Sequence, residues 1–154
     1  MDNLFDFETR ELIAGQLKII VRKANVKAGI RRGRLITFAF EHPLDDDDLQ
    51  TAAFMLYPSL ICSSQIFIAE TDKRVTAFDP PYTGEIAEAN EKGRVKQLED
   101  WQRIIDRITD IPEDLMNSWL EIVYELNPNW QPSKPETKVE TEEKKEEATN
   151  STPG

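Results

Sequence analysis

Residue types that do chemistry are sparse in this sequence. Its one cysteine, Cys62 in "SLICSSQ", and its one histidine, His42 ahead of "PLDDDD", supply all the thiol and imidazole it has. A thiol turns nucleophilic when a cation, a helix N-terminus or a base stabilises its thiolate. Cys62 sits among apolar neighbours, which predicts a buried and inert thiol. A histidine-dependent triad is conceivable, but no nucleophile elbow such as G-x-S-x-G accompanies His42. One cysteine and one histidine cannot make a Cys/His zinc site. The run Asp45–Asp48 raises calcium, yet an EF-hand loop needs oxygen donors at alternate positions, a central glycine and a closing glutamate. Four consecutive carboxylates diverge instead, and Gln50 to Met55 add no ligands. "KAGIRRGR" has neither the Lys-Ser/Thr ending of a phosphate-binding loop nor the glycine spacing of a dinucleotide fingerprint. Adjacent acid pairs, Glu99/Asp100 and Glu113/Asp114, diverge around a helix rather than share a proton. The expectation is a protein that is not an enzyme and takes no cofactor or metal.

What remains is surface. Residues 10–34 carry eight basic side chains against one acid, Glu11, a net of +7. Residues 35–130 carry seven against nineteen, a net of −12, in a 154-residue chain of net charge −10. Such polarity suits self-association or a charged partner. Lys23, Lys27, Arg31 and Arg34 recur at helical spacing as one basic stripe, which can follow phosphates, with Asn25 as a base reader. Against a nucleic acid stand the lack of interleaved aromatics, the lack of a helix-turn-helix partner and the acidic remainder. A second cluster, "NSWLEIVYELNPNWQP", sets Trp119, Tyr124 and Trp130 among aliphatics.

The elements that must position these residues read as helices. Ile13, Leu17, Ile20, Ala24 and Ala28 recur at spacings of three and four, which predicts a helix over 8–32. "DDDDLQTAAFMLY" predicts a second helix, capped and charged at its start by the aspartates. "QIFIAETDKRVTAFDPP" leaves room for one short β-hairpin around residues 65–78. Val95, Leu98, Trp101, Ile105 and Ile108 line one side of a third helix over 86–109. Asp110, with Pro112 in the first turn and Glu113 three residues on, predicts the cap of a fourth. Leu115, Trp119, Ile122 and Leu126 make its apolar stripe, and Pro128 ends it. Past Gln131, one aliphatic (Val139) cannot offset the entropy of ordering, so a disordered charged tail is expected. The fold expected is mainly α, a small helical bundle over 1–130 with that tail over 131–154. The acidic start and the lack of any apolar run of about 20 residues predict a soluble cytoplasmic protein without signal peptide or membrane span.

"MLYPSLICSS" (Met55 to Ser64) and "DIPEDLMNSWLEIVYELNPNW" (Asp110 to Trp130) carry a likeness to a known family. An Ile-Pro-Glu opening, a mid-helix tryptophan and a closing Glu-Leu-Asn-Pro-x-Trp resemble tail assembly chaperones of long-tailed bacteriophages and prophages. The resemblance covers Met55–Ser64 and Trp101–Trp130, about a quarter of the chain. It implies a small, mostly helical protein, located in the host cytoplasm, that binds the long tape-measure protein until tail-tube subunits polymerise around it. It also implies a longer product made by frameshifting, for which "EEKKEE" (Glu142 to Glu147) is a permissive stretch. A chaperone of this kind needs exposed apolar surface kept soluble by charge. Met55, Met116, Trp119, Tyr124 and Trp130 are candidates for that surface, although each also suits a core. The partner-binding residues expected are Trp119, Tyr124 and Trp130, guided by Lys23, Lys27 and Arg31. The alternative is a helical adaptor or nucleic-acid-binding regulator acting through the basic helix.

Overall fold

The computed structural model describes residues 7–81, 83 and 91–132. Strands occupy the place of the first predicted helix. β1 (Thr9–Ala14) and β2 (Leu17–Arg22) pair antiparallel, and Ala14 lies opposite Leu17, so Gly15 and Gln16 alone make the turn. Gly15 has φ +58°, and glycine at the first position of a two-residue loop suits the twist of a hairpin. The side chains of 8–32 that recur at helical spacing divide between opposite sides of the sheet. Leu17, Ile19 and Val21 face inward, whereas Ile13 is exposed. The β-branched run "KIIV" favours extended backbone, and this preference wins over the helical spacing.

β3 (Ser64–Ile68) joins the other side of β2, setting Ile66 opposite Ile19 and Ser64 opposite Val21 in the order β1-β2-β3. The fold is therefore mixed α/β, a three-stranded antiparallel sheet backed by helices, and neither a helical bundle nor all-α. Within the hairpin expected at 65–78, the first arm is β3 and its main partner is β2. The return segment adds one bridge, Phe67 to Arg74, with the Ile68 N–H donating to the Lys73 carbonyl at 2.8 Å. The tail expected over 131–154 lies, from residue 133 onward, outside the described residues.

α1 (Val26–Glu41) starts where Asn25 accepts from the Ala28 N–H at 2.9 Å. It stops at His42-Pro43, with the His42 ring stacked on Phe38 at 4.4 Å. α2 (Asp47–Thr51) is capped by Asp46, whose carboxylate accepts from Asp48 and Leu49 N–H groups. A π-helical turn, Ala52–Leu56, then leads straight into α3 (Tyr57–Ser63). Pro58 explains the wide turn. A proline here donates no bond to the Phe54 carbonyl and crowds it, so the helix widens and the Tyr57 N–H reaches back to Ala52.

α4 (Glu91–Thr109) buries Trp101, Ile104, Ile105 and Ile108 but leaves Val95 exposed. α5 (Glu113–Leu126) begins after Pro112, and Asp110 makes no side-chain cap; its backbone N–H instead closes the end of α4. Trp101 meets Phe38 and Tyr57 edge-on, with ring centroids 5.1 and 5.6 Å apart, an arrangement aromatic quadrupoles favour. α5 lies on the inner face of the sheet, where Trp119 Nε1 donates to Ser64 Oγ at 2.9 Å.

The residues after α5 tie the two ends of the fold together. Asn127 is buried, and its Oδ1 accepts from the Ala24 N–H at 2.7 Å. Its Nδ2 donates to the Arg22 and Val123 carbonyls at 3.2 Å each. A turn of 3-10 helix, Pro128–Trp130, then folds Trp130 back onto Arg32 of α1. Asn127→Ala leaves the Ala24 N–H without its acceptor, so the expected loss is about 2–3 kcal/mol by urea denaturation. A change under about 0.5 kcal/mol, the size of a surface substitution, would show that the clasp is dispensable.

Candidate partner-binding surface

α1 has two uncharged faces. One is core, where Leu35, Phe38 and Ala39 are buried. The other faces solvent and is unusually apolar for that position: Val26 is 80% exposed, Ile30 53% and Phe40 63%. Gly29, Gly33 and Thr37 fill out this outward face, and a Cβ built on either glycine meets nothing within 4 Å. Phe40 leans on Phe54 of the π turn at 5.0 Å.

Beside this face runs a groove of about 1250 Å³, bounded by α1, by the α3–β3 junction at Ile61–Gln65 and by Arg74 with Asp79–Pro81. Its charge is set by which cations are already paired. Arg74 makes a two-pronged bond to Asp79, both contacts at 2.9 Å, and that carboxylate holds the guanidinium pKa up. Arg22 lies over the Phe7 ring at 5.1 Å. Lys27, Arg31 and Arg34 have no carboxylate partner among the described residues, and Glu41 is the one acid on the α1 wall. Arg32 points the other way. Its Nε donates to Ser59 Oγ at 2.9 Å, its Nη2 to the Trp130 carbonyl at 3.2 Å, and its guanidinium stacks 4.9 Å from the Trp130 ring. Burial lowers its pKa.

The six residues expected to bind a partner separate into two sets. Lys27 and Arg31 share an exposed edge of α1 with Arg34, while Lys23 lies before the helix, on the loop after β2. Trp119 and Trp130 are in the core at 1% and 7% exposure, and Tyr124 is half-buried, with burial raising its hydroxyl pKa. The aromatic row is thus mostly scaffold; exposed large apolar side chains gather on α1 at Val26, Ile30 and Phe40, while Ile13 on β1, Val95 on α4, Met55 on the π turn and Phe7 lie elsewhere.

Cys62 borders the groove, and burial pushes its thiol up to about 11 although Arg31 and Arg32 pull it down. A thiol so protonated at neutral pH is a poor nucleophile. Among the described residues no cluster of three or more His, Cys, Asp or Glu is placed to hold a metal ion, and no helix is long and apolar enough to cross a membrane. Comparison with protein-family models, with curated proteins and with solved structures returns no match for the chain. The surface must therefore be read from its own chemistry.

Two measurements check this geometry. At pH 8, iodoacetamide should modify Cys62 in the folded chain about a hundredfold more slowly than in urea, the thiolate deficit that a rise from 9.0 to about 11 implies. Equal rates would mean that the thiol is open to water. Gly33→Ala should raise stability by about 0.5–1 kcal/mol, since helix propensity favours alanine and the added methyl meets open space. A loss of stability would mean that Gly33 is needed within the monomer.

Proposed function

We propose that this chain is a non-catalytic binding protein and, specifically, a tail assembly chaperone of a long-tailed bacteriophage or prophage that keeps the tape-measure protein soluble. The observation that carries the reading is the outward face of α1, where Val26, Ile30 and Phe40 stand in solvent beside cations with no carboxylate partner among the described residues. Apolar side chains exposed in one continuous stripe mark a place of contact with another molecule. The family likeness of Met55–Ser64 and Asp110–Trp130 supports the same reading by a different route, because those residues build the scaffold behind α1. The net charge of −10 keeps such a surface in solution.

Three cations without carboxylates also favour a competing reading, contact with a nucleic-acid backbone. The uncharged stripe beside them and Glu41 and Asp79 on the groove walls speak for a protein partner instead.

Co-expression of the chain with the tape-measure protein from the same tail gene cluster tests the proposal. The soluble fraction of that protein should rise several-fold with the wild-type chain and fall back with Ile30→Glu/Phe40→Glu, two exposed positions whose change should leave the circular dichroism intact. No gain in solubility with the wild-type chain would remove the chaperone reading. DNA or RNA binding that weakens steeply with salt would put the nucleic-acid reading in its place.

A further inference from the structure

Val26, Ile30, Gly33, Thr37 and Phe40 follow one another at steps of four, three, four and three. This is the spacing of a and d positions over two coiled-coil heptads, here apolar at Val26, Ile30 and Phe40. The seam faces solvent over a helix of 16 residues, about 24 Å. Lys27 and Arg34 stand seven residues apart on the flank of the seam, the position from which coiled-coil charges meet the facing helix. Gly29 and Gly33 occupy the solvent side of α1 although glycine weakens a helix there, and no neighbour within the fold occupies the space a Cβ would take.

We infer that the outward face of α1 seats a helix of a partner protein, whose apolar side meets Val26, Ile30 and Phe40 and whose edge carries carboxylates toward Lys27 and Arg34. The inference rests on the binding-protein reading and adds to it the chemistry of the segment bound. Arg31, one step farther round, widens the positive edge, and the groove toward Arg74 and Pro80 gives the carboxylates room. Gly33, at the centre of the seam, lets the two backbones approach closely. A second copy of this chain fits less well. About a twofold axis at Arg34 it gains Lys27 against Glu41 but sets Arg34 against Arg34, and it joins two chains of net charge −10.

The probe is a fluorescein-labelled, hydrocarbon-stapled helix of about 20 residues with leucine along its seam and glutamate on both flanks, beside a twin with lysine on the flanks. Fluorescence anisotropy with the full chain should show the glutamate helix binding at least about tenfold tighter than its twin, by an amount that shrinks as salt rises. Lys27→Glu/Arg34→Glu should invert that preference. Ile30→Asp should abolish binding of both helices while the urea midpoint stays within error, as expected for an exposed side chain. Equal affinity for the two helices, or full binding by Ile30→Asp, overturns the inference. So does a wild-type dimer that Ile30→Asp turns monomeric, which would make a second copy the occupant. Tighter binding of duplex DNA than of the glutamate helix, unaffected by Ile30→Asp, overturns it too. If the chain solubilises the tape-measure protein and these α1 variants do so equally well, the chaperone reading stands and this surface does not. If the helix binds and no tape-measure protein is solubilised, the reverse holds.

Discussion

Asn127 is held on three sides, and the orientation of α1 follows from it. Its amide accepts from Ala24 and donates to Arg22 and Val123, which joins the start of α1 to the end of α5 across 103 residues of sequence. Each of these bonds is worth only about 1 kcal/mol net, but an unmet donor or acceptor at a buried amide costs about 1–3 kcal/mol. They fix the segment from Arg22 to Ala24 that leads into α1. Trp130 adds a second fixed point one turn along, where Arg32 stacks on its ring and bonds its carbonyl. With Asn127 at the entrance of α1 and Trp130 against Arg32, the helix has one allowed rotation. That rotation directs Leu35, Phe38 and Ala39 inward and leaves Val26, Ile30 and Phe40 in water.

The same constraint accounts for the fate of the aromatic row. Trp119 carries a polar atom into the core and needs a partner there, which Ser64 supplies at the first inward position of β3. Trp130 is drawn in by a cation that is itself partly buried, so each desolvates the other and each gains from the contact. Tyr124 is left between core and solvent beside Arg32. Large aromatic groups are the costliest to leave in water, and here the fold has found polar partners that let them leave it. Among the apolar groups that stay exposed, Val26, Ile30 and Phe40 share one helix whose other side was already needed for the core.

Legibility in the sequence follows the strength of the local signal. α5 could be read from its 3-4 spacing and the proline beyond it, because one stripe there points to one neighbour. The run over 8–32 was ambiguous. Leu17, Ile20, Ala24 and Ala28 satisfy a helical period, while Leu17, Ile19 and Val21 satisfy a strand period, and Gly15-Gln16 marks the hairpin turn. A two-residue turn beginning with glycine ahead of β-branched residues was the deciding cue, and periodicity alone outweighs it only in a longer segment. Asp110 is the right residue type for the cap of α5 but stands two residues ahead of it, and its backbone N–H finishes α4 instead. Of the candidate site, the basic edge at Lys27 and Arg31 was legible from charge spacing. The apolar stripe beside it was not, because "VKAGIRRGRLITFAF" carries two hydrophobic sets at helical spacing, and which one is buried depends on Asn127 and Trp130, about 100 residues away.

The residues that build this scaffold and the residues that offer a surface are different sets, and that separation has a physical consequence. Asn127, Trp130, Trp119, Tyr57 and Trp101 are each tied into the core by a hydrogen bond, a cation or an aromatic edge, so a change at any one disturbs several neighbours. Val26, Ile30, Gly33 and Lys27 touch little within the described fold, so their substitution changes the folding free energy by at most about 1 kcal/mol, what helix propensity and surface charge allow. Stability therefore places almost no restriction on the outward face of α1. Its apolar side chains at coiled-coil spacing and its glycines inside a helix are free to answer to the partner we propose rather than to the fold.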